Sequence, residues 1–292
     1  MPWIQTQLVV DKTRTPLVEL LFENLGALSI TLGDAADEPM LEPGPGETPL
    51  WSATRVTGLF SGDTDIDELR SALDQALNRD TARHLQIEVL EDKDWERTWL
   101  ERFKPMRFGS RLWICPTGHR VEDADAVVVD LDPGLAFGTG THPTTALCLN
   151  WLDGADLTGR TVIDFGCGSG VLAIAALKLG AAHAIGIDHD PQALLASRRN
   201  AERNQVSEQL EVHTNDEIQP SPTPLVIANI LANVLIDLQP EISRLVAPGG
   251  ELVLSGILRE QADEVIKAYL GAMQFDEPIE QEGWVLLHAR RR

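Results

Sequence analysis

Cysteine is scarce in this chain of 292 residues, which contains only Cys115, Cys148 and Cys167. No two of them form a Cys-x-x-Cys pair, and the disulfide frameworks of small secreted domains need an even, larger set. The sequence therefore supports neither a disulfide framework nor a cysteine zinc site. We expect reduced thiols and no bound metal.

Long apolar runs are also missing. The opening segment from Met1 to Val10 lacks the basic residues of a signal peptide, and its apolar run ends at Asp11. No later stretch approaches the ~20 uncharged residues that a membrane-spanning helix needs. We therefore expect a cytoplasmic protein with no membrane partner.

Basic residues are few, because 24 Lys and Arg stand against 45 Asp and Glu, a net charge of −21. Such a charge repels nucleic acid and anionic lipid, and it attracts a basic partner. No direct nucleic-acid binding is expected. The acidity is densest at the start, where residues 1–91 carry 16 acidic and 6 basic side chains. Charge does not identify a partner, so solubility alone remains an alternative explanation.

The length of the chain favours two domains with separate cores. Residues 1–91 show strand and helix patterns in the order βαββαβ, which is typical of a ferredoxin-like α+β domain. The predicted strands are 3–10, 27–32, 55–60 and 86–90. The acidic stretch 34–49 is rich in Pro and Gly and is predicted to be an exposed loop.

Residues 92–104 are predicted to form a helical linker, because Trp95 and Trp99 share one helix face. Residues 105–292 form the second domain. Strands and helices alternate there as in a mainly parallel sheet covered on both faces, which predicts a Rossmann-like α/β domain. The predicted strands are 161–165, 184–188, 210–214, 225–229, 251–255 and 284–289, the helices are 170–179, 192–203, 235–245 and 260–271, and a turn is placed at 248–250.

A glycine-rich turn follows the first strand of this second domain. Glycines allow a backbone to approach a ligand closely, and the next helix presents unpaired N–H groups. The glycines are spaced Gly-x-Gly-x-Gly at 166, 168 and 170, whereas a dinucleotide fingerprint needs glycine where this chain has Val171. With Asp164 two residues before the first glycine, the spacing resembles motif I of class I methyltransferases.

Two polar residues end later strands. Asp188 can accept hydrogen bonds from ribose hydroxyls, which supports nucleoside binding without choosing the cofactor. Asn229 stands where class I methyltransferases present groups to the acceptor atom, and families that methylate planar nitrogens often have Asn-Pro-Pro-Tyr there. This chain has no ring or proline in residues 229–232. A flat acceptor is therefore disfavoured, the Asn229 oxygen could hold an aliphatic amine, and an ordinary strand-end role for Asn229 remains open.

The segment 132–145 is too rich in glycine for a simple strand and is predicted to be a lid. Together with the glycine turn, Asn229 and the βαββαβ unit, it makes nearly the whole chain resemble the family of ribosomal protein L11 methyltransferases (PrmA). The resemblance implies that the lid closes over S-adenosyl-L-methionine. His142 in the lid is predicted to position other groups rather than to act as a general base.

The resemblance also implies the site residues. The predicted cofactor-binding residues are Thr145, Gly166, Gly168, Asp188, Asn229 and Phe137, and Asn229 is also the catalytic candidate.

The activity that the resemblance implies is protein N-methylation, with the N-terminal domain gripping a basic ribosomal protein and with the α-amine and lysine ε-amines as acceptors. A neutral amine must attack the methyl group in line, so the site needs alignment and exclusion of water. Deprotonating lysine at pH 7 costs about 4.6 kcal/mol, against about 1 kcal/mol for an α-amine. Another protein or a small amine as acceptor, a nicotinamide-dependent oxidoreductase and a non-catalytic binding protein remain alternatives.

Overall fold

The computed structural model describes residues 2–36, 50–77, 83–90, 104–131 and 142–292. The chain divides into two compact units, Met1–Thr98 and Trp99–Arg292. The finer boundaries at residues 91 and 104 stay a prediction, and the predicted linker with its two tryptophans lies outside the described residues except for Lys104.

The described residues of the first unit form a four-stranded antiparallel sheet and two helices. Its elements are β1 (Trp3–Asp11), α1 (Thr15–Asn24), β2 (Ser29–Asp34), β3 (Ala53–Ser61), α2 (Ile66–Ala76) and β4 (Gln86–Leu90). The strands adjoin in the order β2-β3-β1-β4, and every pair is antiparallel. This is the predicted ferredoxin-like arrangement. Alternate residues of β1, such as Ile4 and Leu8, are buried with Phe22 of α1 in a core that belongs to this unit alone.

The second unit holds an eight-stranded sheet. Its parallel strands are β8 (Thr161–Phe165), β9 (His183–Ile187), β10 (Leu210–His213), β11 (Thr223–Asn229) and β12 (Val246–Leu258). Its antiparallel strands are β13 (Met273–Phe275), β14 (Ile279–Gln281) and β15 (Trp284–Arg291). The order is β10-β9-β8-β11-β12-β15-β13, with β14 beside β15. Chain order reverses between β8 and β11, and ligands of such sheets bind at the carboxyl ends of the strands at this switch point.

Helices cover both faces of this sheet, as the Rossmann-like prediction requires. They are α3 (Pro143–Gly154), α4 (Val171–Lys178), α5 (Pro191–Arg203), α6 (Ala232–Asp237), α7 (Gln239–Leu245) and α8 (Ala262–Tyr269). Neighbouring residues of β8, Val162 and Ile163, are both buried but belong to different apolar clusters. The strands are therefore apolar on both faces, which is why they read as continuous apolar runs.

A small sheet and one helix differ from the sequence expectation, because neither was predicted. The sheet consists of β5 (Met106–Phe108), β6 (Leu112–Cys115) and β7 (Val127–Asp130). The helix is α3, whose Asp153 accepts backbone hydrogen bonds from Ser110 at 2.5 Å and Leu112 at 3.1 Å. A buried carboxylate of α3 therefore fixes the turn between β5 and β6.

Two further predictions are wrong in detail. The single helix predicted at 235–245 is two helices that meet at Leu238, and Pro240 lies in the first turn of the second, where a missing N–H is tolerated. The turn predicted at 248–250 is part of β12, where the residues paired with β11 jump from Val246 to Glu251. In the part of the chain that the structure describes, no helix is long and apolar enough to cross a membrane.

Candidate cofactor and acceptor site

Glycines form the turn between β8 and α4. Gly166, Gly168 and Gly170 have φ angles of 76°, 52° and 76°, in the left-handed region that glycine adopts without strain. The N–H groups of Gly166 and Cys167 donate to the carbonyl oxygen of Ile187 at 2.8 and 3.0 Å. These two hydrogen bonds connect the predicted turn to the end of β9, next to the switch point between β8 and β11.

Asp188 follows β9 and contacts the glycine turn. Its Oδ2 accepts a hydrogen bond from the N–H of Gly168 at 2.8 Å, and its Oδ1 accepts one from the N–H of Asp190 at 3.0 Å. The carboxylate therefore fixes the turn, a role that the sequence did not reveal. Its remaining lone pairs can accept further bonds, so the predicted contact with ribose is compatible with this geometry and stays a prediction.

Asn229 ends β11 and contacts α3. Its Nδ2 donates to Oγ1 of Thr145 at 3.2 Å, so two predicted site residues 84 positions apart form a pair. Its Oδ1 is buried and has no hydrogen-bond partner among the described residues. A buried acceptor without a donor is unfavourable, so this oxygen is suited to accept a hydrogen bond from a ligand.

Asp164 is a site residue to which sequence reasoning assigned no role of its own. It is buried in β8, where its Oδ2 accepts from the N–H of Ala173 at 3.0 Å and its Oδ1 has no partner among the described residues. Burial raises the pKa of Asp164 to about 7, and the negative charge of Asp188 adds to this rise. The hydrogen bond from the N–H of Ala173 acts in the opposite direction and lowers the pKa. The sequence feature that could have indicated a role for Asp164 is that it is the single acidic residue in a mostly apolar strand.

His142 is the N-cap residue of α3. Its Nδ1 lies 3.4 Å from the backbone nitrogen and 2.8 Å from the hydroxyl oxygen of Thr144, and its ring meets the Trp284 ring edge-on at 4.9 Å. Burial lowers the pKa of His142 although Glu282 opposes the change. The histidine therefore holds the start of the helix that carries Thr145, as a positioning role requires. Phe137 and residues 132–141 of the predicted lid lie outside the described residues.

These groups fit S-adenosyl-L-methionine. Oδ1 of Asn229, and Oδ1 of Asp164 when that carboxyl is ionised, are hydrogen-bond acceptors without a partner among the described residues, and the ammonium and ribose hydroxyl groups of that molecule are donors. A Cβ atom at Gly166 would come closer than 3.0 Å to the side chain of Ile230, so glycine is needed where the turn meets the segment 230–232 that follows β11. The sheet, the glycine turn at its switch point, Asp188 after the second parallel strand and Asn229 after the fourth define a class I S-adenosylmethionine-dependent methyltransferase.

Comparison with known proteins narrows this class to one family. The profile of the family "Ribosomal protein L11 methyltransferase (PrmA)" matches residues 2–292. Proteins named ribosomal protein L11 methyltransferase from Hahella chejuensis and Escherichia coli are 55% and 54% identical over 291 and 293 residues, covering 100% of this chain and 99% and 100% of theirs. The crystal structure of a ribosomal protein L11 methylase from Lactobacillus delbrueckii subsp. bulgaricus is 30% identical with a TM-score of 0.60, covering 65% of this chain and 100% of that one. This chain belongs to the ribosomal protein L11 methyltransferase family, which decides against the oxidoreductase alternative.

Replacing Asp188 with alanine is expected to weaken S-adenosylmethionine binding by about 5- to 150-fold, because hydrogen bonds to a charged carboxylate contribute about 1 to 3 kcal/mol. Titration calorimetry measures the change. Asp190→Ala is the matched control, since Asp190 caps α5 through the N–H of Gln192 and its loss should lower stability by about 1 kcal/mol without changing affinity. Equal affinities of Asp188→Ala and the parent would remove the assignment.

Asp164→Asn is expected to gain stability relative to the parent as the pH rises. The carboxyl has an ordinary pKa of 3.8 when unfolded and about 7 when folded, so the stability it contributes is complete below about pH 4 and is lost as the pH rises through 7. Asparagine does not titrate, so the difference in unfolding free energy should shift by about 2 to 3 kcal/mol in favour of the variant between pH 5 and pH 8.

Urea unfolding at the two pH values measures this shift, and Asp153→Asn is its control. Burial opposes ionisation of Asp153, but hydrogen bonds from Ser110, Arg111 and Leu112 leave its pKa lowered. Asp153 is therefore ionised in both states across this range, and the Asp153→Asn difference should stay constant. If the unfolding free energies of the parent and of Asp164→Asn change with pH in parallel, the pKa of the buried Asp164 is not raised.

Proposed function

We propose that this chain methylates ribosomal protein L11, transferring methyl groups from S-adenosylmethionine to its α-amine and lysine ε-amines. The observation that carries the proposal is the pair of Asn229 and Thr145, in which the buried amide oxygen has no hydrogen-bond partner among the described residues. The segment 230–232 beside it has no ring, which suits an aliphatic amine rather than a flat base. The names of the relatives, which state ribosomal protein L11, support the choice of substrate.

We assign Asn229 and Thr145 separate tasks. Donation from Nδ2 to Thr145 fixes which way the amide of Asn229 faces, and in this proposal its Oδ1 meets the acceptor. That oxygen accepts a hydrogen bond from the amine and orients the nitrogen lone pair for in-line attack. When bound, S-adenosylmethionine supplies a methyl group on a positively charged sulfur. In this reaction the protein aligns the amine with the methyl group and supplies no nucleophile of its own.

The acceptor must lose a proton before it attacks. At pH 7 this costs about 4.6 kcal/mol for lysine and about 1 kcal/mol for an α-amine. Asn229 is neutral and does not hold an ammonium ion as a carboxylate would, so it does not oppose deprotonation. The α-amine is therefore the easier acceptor, and methylation of lysine should rise more steeply with pH.

The N-terminal domain, residues 1–91, is proposed to capture the substrate. It carries 16 acidic and 6 basic side chains, and a cluster of buried apolar residues within it supports its treatment as a domain. An acidic surface attracts a basic ribosomal protein and repels nucleic acid, so direct RNA binding is not expected. A cytoplasmic location stays a prediction.

A labelled-methyl transfer assay tests this function. Purified protein and methyl-labelled S-adenosylmethionine are incubated with L11, with the other ribosomal proteins and with ribosomal RNA, all from a strain that lacks the enzyme. We expect label in L11, mapped by peptide mass spectrometry to the N-terminus and lysines. L11 with a chemically acetylated N-terminus should keep only the lysine label. Binding of S-adenosylmethionine without transfer to L11, or label in another component alone, would overturn the proposal.

A further inference from the structure

The pairing of strand β12 is irregular at Ser255 and Gly256, beside Asn229 and Ile230. Ser255 is the residue of β12 paired with Asn229 of β11. On the other side, the pairing with β15 shifts between Leu254 and Ile257, so β12 carries one extra residue here. Bulges of this kind re-aim side chains and are common next to active sites. We call these two residues the Ser255–Gly256 step.

Gly256 lies against the backbone of Ile230, the residue after Asn229. Its φ is 83°, and a Cβ at this position would come closer than 3.0 Å to the carbonyl carbon and oxygen of Ile230. Because the neighbours are backbone atoms, no side-chain rotation can make room. Any side chain at position 256 must therefore displace the segment that begins with Asn229.

Ser255 connects the same strand to α3. Its side chain is fully buried, and its Oγ lies 3.3 Å from the carbonyl oxygen of Thr144 and 3.2 Å from that of Val285. A hydroxyl has one proton to donate, so the two carbonyls share it. Thr144 precedes Thr145, the partner of Asn229. The step thus contacts both sides of the pair: Ser255 pairs with Asn229 of β11 and approaches Thr144 of α3, and Gly256 lies against Ile230, the residue after Asn229.

We propose that the Ser255–Gly256 step positions Asn229 and Thr145 for methyl transfer. Neither residue is assigned contact with cofactor or acceptor; both act through the pair. A displacement of about 1 Å at a reacting group can lower a rate by about 100-fold. The proposal rests on the proposed function, since its main readout is methyl transfer. The test is therefore the ratio of the methyl-transfer rate of each variant to that of the parent, measured on whichever acceptor the parent methylates.

Gly256→Ala compared with Gly249→Ala isolates the contact with Ile230. Both glycines lie on β12 with left-handed φ angles of 83° and 72°, but a Cβ at Gly249 would meet nothing within 4 Å. Both variants therefore carry the same backbone strain. We expect Gly256→Ala to lower kcat by about 100-fold, with KM for the acceptor and calorimetric affinity for S-adenosylmethionine within about threefold of the parent. Gly249→Ala should retain the parent kcat.

Ser255→Ala tests the second contact and decides the matter if Gly256→Ala does not fold. Its control is Ser243→Ala, another buried serine, whose Oγ accepts from Gln239 at 2.8 Å on α7. We expect both serine variants to lose similar thermal stability, and only Ser255→Ala to lose kcat, by about tenfold.

Parent kcat in Ser255→Ala, and in Gly256→Ala where that variant folds, overturns the proposal. The proposal is also overturned if the control variants lose as much kcat as the test variants, or if the loss of kcat depends only on the loss of melting temperature. If the parent protein methylates another acceptor but not L11, the proposed function is wrong. The ratio of variant to parent rates can then still be measured on that acceptor, so the positioning role is tested separately.

Discussion

Asn229→Ala is expected to lower kcat for methyl transfer by about 100-fold or more, while S-adenosylmethionine affinity falls by no more than about tenfold. The substitution removes the buried Oδ1 that is proposed to orient the amine, and it leaves Oγ1 of Thr145 without its donor. Misorientation of the acceptor acts on the rate of the chemical step more than on binding. Single-turnover rates at saturating cofactor and acceptor measure this loss directly.

Asn204→Ala is the matched control for this experiment. Asn204 is a buried asparagine, and it makes two 2.8 Å hydrogen bonds to the backbone of Asp130. Its loss should lower the free energy of unfolding and leave kcat at the parent value. If Asn229→Ala transfers methyl groups at the parent rate, the amide oxygen does not orient the acceptor.

The parts of the site that sequence could predict depend on local pattern. The Gly-x-Gly-x-Gly spacing indicates a left-handed turn, because only glycine enters that region without strain, and the three φ angles confirm it. Asp188 and Asn229 end apolar runs, and the carboxyl ends of parallel strands meet at one edge of the sheet. Their placement at this same edge of the sheet therefore followed from the strand assignments.

The parts that sequence could not predict arise from contacts between distant residues. The Oγ of Ser255 and the carbonyl of Thr144 are 111 positions apart, and nothing near Ser255 indicates its partner. Helix α3 was missed because residues 144–149 are buried on every side, so no helical periodicity shows. Its cap, His142, is also not among the usual capping residues. Strands β5, β6 and β7 have only three or four residues each, too few for an alternating pattern.

Removal of residues 1–98 is the deletion with the largest expected effect on the proposed substrate. This segment is the first compact unit, and ten of its described residues form one buried apolar cluster. Thr145, Gly166, Asp188 and Asn229 all remain, so affinity for S-adenosylmethionine should stay within about threefold of the full chain. We expect kcat/KM for L11 to fall by about 100-fold or more, which corresponds to roughly 3 kcal/mol of lost substrate binding.

The salt dependence of kcat/KM separates electrostatic capture from a general loss of activity. Attraction between exposed charges weakens as the Debye length falls from about 10 Å at 0.1 M salt to about 3 Å at 1 M. The full chain, with its acidic residues 1–91, should therefore lose kcat/KM for L11 steeply over this range, and the truncated chain, which lacks these residues, should lose it less steeply. A short peptide with the L11 N-terminus serves as the control acceptor, because it offers an amine without the basic body of the protein. Both chains should methylate this peptide at similar rates. If the truncated chain methylates full-length L11 at the parent rate and with the same salt dependence, the N-terminal domain does not capture the substrate.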